Sequence, residues 1–211
     1  MVNGMTLPGS LPLFRDLESS AGQMPEGFNY KPDVISEADE RALVRAFEKL
    51  PLQPFEFQGF LAKRRIFTFG HKYIFAGQRP RADARIPDYL LPLTESAAAI
   101  SGKPAAAFEQ LMVTEYAPGA GIGWHVDRPS YDEIVSVSFL APCTLRLRRK
   151  VGGTWERRFA QIEARSVYLL GGLARTCWQH SIPPLDALRY SVTLRTFRPE
   201  KRVRDDPGRK A

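Results

Sequence analysis

From residue 110 onward the chain keeps breaking into short segments of alternating apolar and polar residues: QLMVTEY, EIVSVSFLA, TLRLRR, SVYLL and RYSVTLRTF. Segments this short, rich in Val, Ile, Thr and aromatics, are strands. Val151-Gly152-Gly153 marks a hairpin turn between TLRLRRK and WERRFAQI. Strands this closely spaced suggest an antiparallel arrangement. The earlier part of the chain reads differently. In SEADERALVRAFEKL, Ser36 is an N-cap with Asp39 in the N3 place of a capping box, and Leu43, Val44, Phe47 and Leu50 follow at helical spacing up to Pro51. A second helix is predicted over Tyr89–Ile100, ending near Gly102. Between the two helices, KRRIFTFG reads as a strand, with Gly70 as a turn. Helices followed by a run of antiparallel strands define an α+β fold built on a β-sandwich or a double-stranded β-helix.

A chain of 211 residues, 44% hydrophobic, is long enough for one sizeable core. The Gly-, Pro- and Ser-rich stretch 1–28 reads as an arm, 29–199 as the folded domain and 200–211 as a basic tail. No apolar run reaches membrane-spanning length, and the first residues lack a basic segment followed by an apolar one. The expectation is a cytoplasmic monomer with no membrane partner. Two cysteines, Cys143 and Cys177, make neither a disulfide framework nor a thiolate metal site. A net charge of +7 favours, without requiring, an anionic partner such as nucleic acid.

Of the three histidines, His125 lies two residues from Asp127 in GIGWHVDR. On a strand these two side chains share a face, with Val126 turned away and Trp124 opposite His125. His180, after the Gly-Gly turn in SVYLLGGLARTCWQHSI, offers a third ligand; His71 reads as an ordinary hydrogen-bonded core or surface histidine. Two imidazoles and one carboxylate form a facial triad that leaves positions open on Fe(II), although catalytic zinc also fits such a set. Downstream, RYSVTLR puts Arg189, Ser191, Thr193 and Arg195 on one face of a strand and Tyr190, Val192 and Leu194 on the other. Two arginines on a β-branched strand are costly unless an anion pairs with them, and a dicarboxylate matches their forked geometry.

Taken together, EYAPG (115–119), HVD (125–127), EIVSVSF (133–139), His180 and RYSVTLR (189–195) resemble the AlkB-like Fe(II)/2-oxoglutarate-dependent dioxygenases, from about Phe28 to Arg198. The resemblance implies a jelly-roll core with the N-terminal helices packed on one sheet, and iron held by His125, Asp127 and His180. It also implies that Arg189 and the Tyr116 hydroxyl hold the far carboxylate of 2-oxoglutarate, and that Arg195 supports the metal end. Ser191 and Thr114 stand where the family often has Asn, and both retain hydrogen-bonding capacity. The implied reaction consumes O2 and 2-oxoglutarate, releases succinate and CO2, and hydroxylates a C–H bond. On an alkylated base nitrogen the product then loses formaldehyde.

KRRIFTFGHKYIFAGQRPRADARIP corresponds to the family's variable substrate lid. Phe67, Phe69, Tyr73 and Phe75 interleave there with Lys63, Arg64, Arg65, Lys72, Arg79 and Arg81, as stacking and phosphate contacts to a flipped or single-stranded base require. Phe67 and Phe69 read first as core. Tyr73, Phe75, Arg79 and Arg81 are candidate substrate contacts. Arg175 and Trp178 resemble the transfer-RNA-modifying branch and are further candidates, with packing the first reading for Trp178. The expected function is oxidative removal of alkyl groups from bases of DNA or RNA. A transfer-RNA hydroxylase or demethylase is the alternative, and a nucleic-acid-binding module with a structural metal is a third reading.

Overall fold

In a computed structural model describing residues 23–57, 60–72 and 81–198, two antiparallel sheets face each other. The larger contains β1 (Phe28–Lys31), β2 (Gln53–Phe57), β3 (Phe60–Lys72), β4 (Arg81–Ala84), β5 (Gln110–Tyr116), β7 (Tyr131–Leu140), β10 (Val167–Leu170) and β12 (Arg189–Phe197). Its order is β1-β10-β7-β12-β5-β3-β2, with β4 paired to β3. The smaller sheet runs β6-β11-β8-β9, formed by β6 (Ile122–His125), β8 (Cys143–Val151), β9 (Thr154–Ile162) and β11 (Gln179–Ile182). Among the described residues, the helices are α1 (Glu37–Phe47), α2 (Leu91–Ser101) and the short α3 (Gly172–Thr176), beside single 3-10 turns. This is the jelly roll expected from the run of strands. No helix among the described residues is long and apolar enough to cross a membrane.

Period-two alternation sorts the central strands into two cores. Val135, Val137 and Phe139 of β7, with Tyr190, Val192 and Leu194 of β12, face the helices and meet Leu43, Val44 and Phe47 of α1 and Leu93 and Ala97 of α2. Phe47 packs edge-on against Phe139, ring centroids 5.2 Å apart. The opposite faces turn toward the smaller sheet, where Tyr116, Tyr131, Ile134, Tyr168 and Leu170 meet Leu145, Leu147, Ile162 and Ile182. Ser36 caps α1 as expected: its Oγ accepts from the Asp39 amide at 3.1 Å and donates to the Asp39 carboxylate at 2.6 Å. The second helix begins with a single 3-10 turn at Asp88–Leu90 and ends at Gly102 in the left-handed region.

Two details differ from expectation. The chain joins the sheet at Phe28, where β1 pairs with β10, so the sheet takes in the last residue of the stretch read as an arm. Gly70 is not a turn, because β3 runs straight through it to Lys72. With φ at +79°, Gly70 instead sits where the β3–β4 register shifts, and a Cβ there would lie 2.1 Å from the Glu109 carbonyl oxygen. A lone glycine within an apolar stretch signals a turn or a bulge alike, and here the close backbone approach selects the bulge.

Across β3, β5 and β12, the mutually opposed residues Arg65, Glu115 and Tyr190 form one polar link. Arg65 donates to Glu115 through Nε and Nη2, each at 2.8 Å, and the Tyr190 hydroxyl donates to the same carboxylate at 2.9 Å. The Arg65 bond holds the Glu115 carboxyl below its ordinary range despite burial, with Tyr190 assisting. That stabilisation is fully present above the unfolded-state pKa of about 4.3 and is lost as pH falls through the lower folded-state value. Glu115→Gln should therefore cost about 1–2 kcal/mol near neutrality, discounted because Arg65 is half exposed. In thermal melts the gap to the parent protein should close in strong acid. A gap that does not change with pH would refute the assignment.

Candidate active site

Direct cross-strand pairing builds the candidate metal centre. His125 of β6 and His180 of β11 are partners in register, which brings their ring centroids to 4.2 Å. Gly121 lets β6 approach this closely, since a Cβ there would lie 2.7 Å from the carbonyl oxygen of Ile182. Asp127 departs from the expected placement. The strand ends at His125, so Asp127 reaches the histidines from the connection that follows, not from a shared strand face. Its Oδ2 lies 3.3 Å from His180 Nε2, and ligand atoms of all three residues fall within 4.8 Å of one another. Val126 points outward as expected.

Electrostatics prepares these groups for a cation. The Gly123 carbonyl can only accept, so the 2.9 Å contact with His125 Nδ1 assigns the proton to Nδ1 and leaves Nε2 with its lone pair. Burial, then the neighbouring His180, pushes the His125 pKa down and favours the neutral ring a metal requires. Burial alone would raise the Asp127 pKa. The hydrogen bond with His180, assisted by the Arg195 guanidinium, outweighs burial and holds the carboxyl well below the usual range.

Facing this centre is the polar inner side of the larger sheet. Arg189 is fully buried, with its guanidinium 5.1 Å from the centroid of the Tyr116 ring, directly opposite on β5. Its Nη2 donates to Ser138 Oγ at 2.6 Å, while Nε and Nη1 have no partner among the described residues. Ser191 and Thr114, also paired across β12 and β5, are buried beside them, and Thr114 Oγ1 is likewise unpartnered. Arg195 donates to Gln110 Oε1 at 3.0 Å, lies 4.9 Å from the Tyr131 ring centroid, and keeps an unpartnered Nε. Orphaned guanidinium donors in a sealed sheet are costly, and a carboxylate seated there would satisfy them. The donor set thus fits both a divalent metal and a dicarboxylate.

Other candidates are placed differently. Tyr73, Phe75 and Arg79 lie outside the described residues, and Arg81 is described only as the backbone start of β4. Phe69 is core, with Phe67 packed on it at 4.8 Å. Trp178 and Arg175 are both almost fully buried, so neither presents a surface to a substrate. Trp178 packs in the inter-sheet core, with the Arg149 guanidinium 4.8 Å from its ring centroid. Arg175 donates through Nη2 to the carbonyl oxygens of Arg128 and Tyr131, which pins the connection carrying Asp127. Two contributors carry no assignment in the sequence reading: Ser138, whose alternation with Val137 and Phe139 places it inward, and Tyr168, which lies near Arg189; Arg64, read as a lid cation, also brings its charge to His125 and Tyr116.

Comparison with known proteins bears on this site. The model of the 2OG-Fe(II) oxygenase superfamily matches residues 31–198. The "Alkylated DNA repair protein ALKBH8 homolog" of Arabidopsis thaliana is 28% identical over 193 residues, covering 79% of this chain and 54% of its own length. The "tRNA (carboxymethyluridine(34)-5-O)-methyltransferase ALKBH8" of Mus musculus is 27% identical over 173 residues, covering 76% of this chain and 25% of its own. The chain thus spans about half or less of the length of these relatives. The solved structure of OsALKBH1 superposes with a TM-score of 0.61 at 15% identity, covering 83% of this chain and 100% of that one, which is a likeness of fold.

Two variants test the site. Arg189→Lys replaces a planar fork with a point charge, so the apparent KM for 2-oxoglutarate should rise at least ~10-fold in a succinate-release assay. An unchanged KM would remove Arg189 from the co-substrate pocket. Arg175→Met should weaken Mn(II) binding about 10- to 100-fold by releasing the Asp127 connection, as loss of an orienting group around metal ligands does. Calorimetric titration showing parental affinity would contradict that role.

Proposed function

The chain belongs to the 2OG-Fe(II) oxygenase superfamily as an AlkB-like dioxygenase, and on that premise we propose that it removes alkyl groups from nucleobases of DNA or RNA. The observation that carries the reading is a 2-His-1-carboxylate cluster facing a buried arginine with two unpartnered donors. His125, Asp127 and His180 would hold Fe(II). Arg189 would bind the far carboxylate of 2-oxoglutarate with the Tyr116 hydroxyl, and Thr114 and Ser191 would border it. When bound, iron and 2-oxoglutarate supply the oxidising chemistry, in which O2 is divided between succinate and a substrate C–H bond and CO2 is released.

The protein's share is positioning and exclusion of water. Gly123 fixes the tautomer of His125, Arg175 fixes the approach of Asp127, and the positive charge of Arg195 keeps the Asp127 carboxylate ionised. Hydroxylation of an N-alkyl carbon gives a hemiaminal, whose C–N bond breaks with loss of formaldehyde and return of the proton to the base. A positive margin supports an anionic polymer as substrate. Arg64, stacked 4.2 Å from the Phe55 ring centroid, contributes charge beside His125.

Transfer RNA is the second reading, favoured by the substrate for which the mouse relative is named. A purely structural metal is disfavoured, because it gives the orphaned donors of Arg189 nothing to bind. The test is succinate release with Fe(II) and 2-oxoglutarate, compared across methylated single-stranded DNA, methylated duplex DNA, methylated RNA and transfer RNA. Dealkylation with formaldehyde release is expected on at least one methylated strand. Turnover on transfer RNA without formaldehyde transfers the assignment to hydroxylation, and stimulation by none of the four refutes the nucleic-acid reading.

A further inference from the structure

The strands that carry the two histidines have an outer side as well. In the smaller sheet, Arg148 is paired with Gln179 and Arg157, Arg146 with Ser181 and Phe159, and Lys150 with Trp155. Register therefore puts all of these on the face turned away from the inter-sheet core, since the intervening Leu145 and Leu147 are fully buried within it. Trp124 joins them from β6. The Arg148 guanidinium is sandwiched between two indoles, 4.2 Å from the Trp124 centroid and 4.2 Å from the Trp155 centroid. Arg146 lies 5.2 Å from the Trp124 centroid.

Among the described residues, no carboxylate compensates the charge on this face. Its register positions hold Arg146, Arg148, Lys150 and Arg157 and no Asp or Glu. The one carboxylate of the hairpin, Glu156, is turned to the other side, where it pairs with Arg149 and Arg158. Among the described residues no carboxylate forms an ion pair with the four outer cations. Arg148 Nε donates to Gln179 Oε1 at 2.8 Å and Arg146 Nε to Ser181 Oγ at 3.0 Å, so neutral partners orient both guanidinium groups without cancelling their charge. Trp155 and Phe159 remain 38% and 37% exposed, large aromatics kept in water beside these cations.

We propose that this outer face is a docking surface for a single-stranded nucleic acid, which it holds while a neighbouring base enters the iron site. The inference rests on the nucleic-acid reading above. Arg146, Arg148 and Lys150 recur every second residue along β8, at steps of about 6.6 Å, on the scale of one nucleotide of an extended strand. Cations that track a backbone beside aromatics that stack its bases make up the recognition surface for single strands. The face is also connected to the chemistry. Trp124 adjoins His125, and Gln179 and Ser181 flank His180, so the platform and the metal ligands occupy opposite sides of the same two strands. Among the described residues β6 is an edge of the sheet, over which a bound strand would turn toward Asp127.

Lys150 and Arg157 are exposed and touch none of the site, so Lys150→Glu with Arg157→Glu tests the surface without disturbing the fold. Anisotropy with labelled single-stranded RNA and DNA oligonucleotides should show affinity reduced at least ~10-fold. The slope of log K against log salt should shrink by roughly 1.4 for two lost phosphate contacts. Trp155→Ala should lower affinity several-fold while leaving the salt slope in place. Uncoupled succinate release, measured without nucleic acid, should match the parent in every variant. If the parent turns over methylated strands and the variants bind them with parental affinity and slope, the docking surface is refuted and the dealkylase reading stands. If the parent neither binds nor turns over any strand, both fall. Loss of binding to anionic vesicles alone, with oligonucleotide affinity intact, would overturn the proposal in favour of a lipid surface.

Discussion

A guanidinium sealed inside a β-sheet governs this molecule. Arg189 brings a forked cationic group into the interior, and among the described residues the fold gives it one neutral acceptor and one aromatic face. The remaining donors make the inner cavity attractive to one kind of guest, a carboxylate. The rest follows from where that strand must sit. β12 is central, bonded to β5 on one side and β7 on the other, so its inner face lies opposite the smaller sheet. The smaller sheet in turn presents His125 and His180 as a register pair. Arg189 and the two histidines thus face each other because each is borne by the inward alternation of its own sheet.

The outward alternation performs separate work on each side of the sandwich. On the larger sheet it is apolar and takes α1 and α2, which closes that flank against water. On the smaller sheet it is cationic and aromatic, and among the described residues no helix packs on it. The two flanks have the same period-two pattern with different chemistry, which is why one became the protein's interior and the other its surface.

Much of this is legible in the sequence, for reasons specific to strands. Alternation in RYSVTLR fixes which side chains share a face whatever the tertiary context, so those letters alone pair Arg189 with Arg195. His180 is legible by elimination, as one of three histidines in the chain, and not through alternation. Asp127 joins the ligand histidines by a different route, because strand pairing stops earlier than the motif suggests. Arg175 and Trp178 read as candidate contacts because a basic or aromatic residue near a ligand carries no mark of burial. Only the carbonyls of Arg128 and Tyr131, remote in sequence, show what Arg175 does. Gly70 is ambiguous because the same left-handed freedom serves a turn and a bulge.

The carbonyl groups around the metal cluster have a broader consequence. His125 is oriented by the oxygen of Gly123, and the Asp127 connection by the oxygens of Arg128 and Tyr131, all of them main-chain atoms. Any amino acid supplies such an oxygen. Side chains along the connection, such as those of Val126 and Pro129, can consequently drift over evolutionary time without loosening the ligands. The rim of the cavity can then be retuned for new substrates while its centre stays fixed.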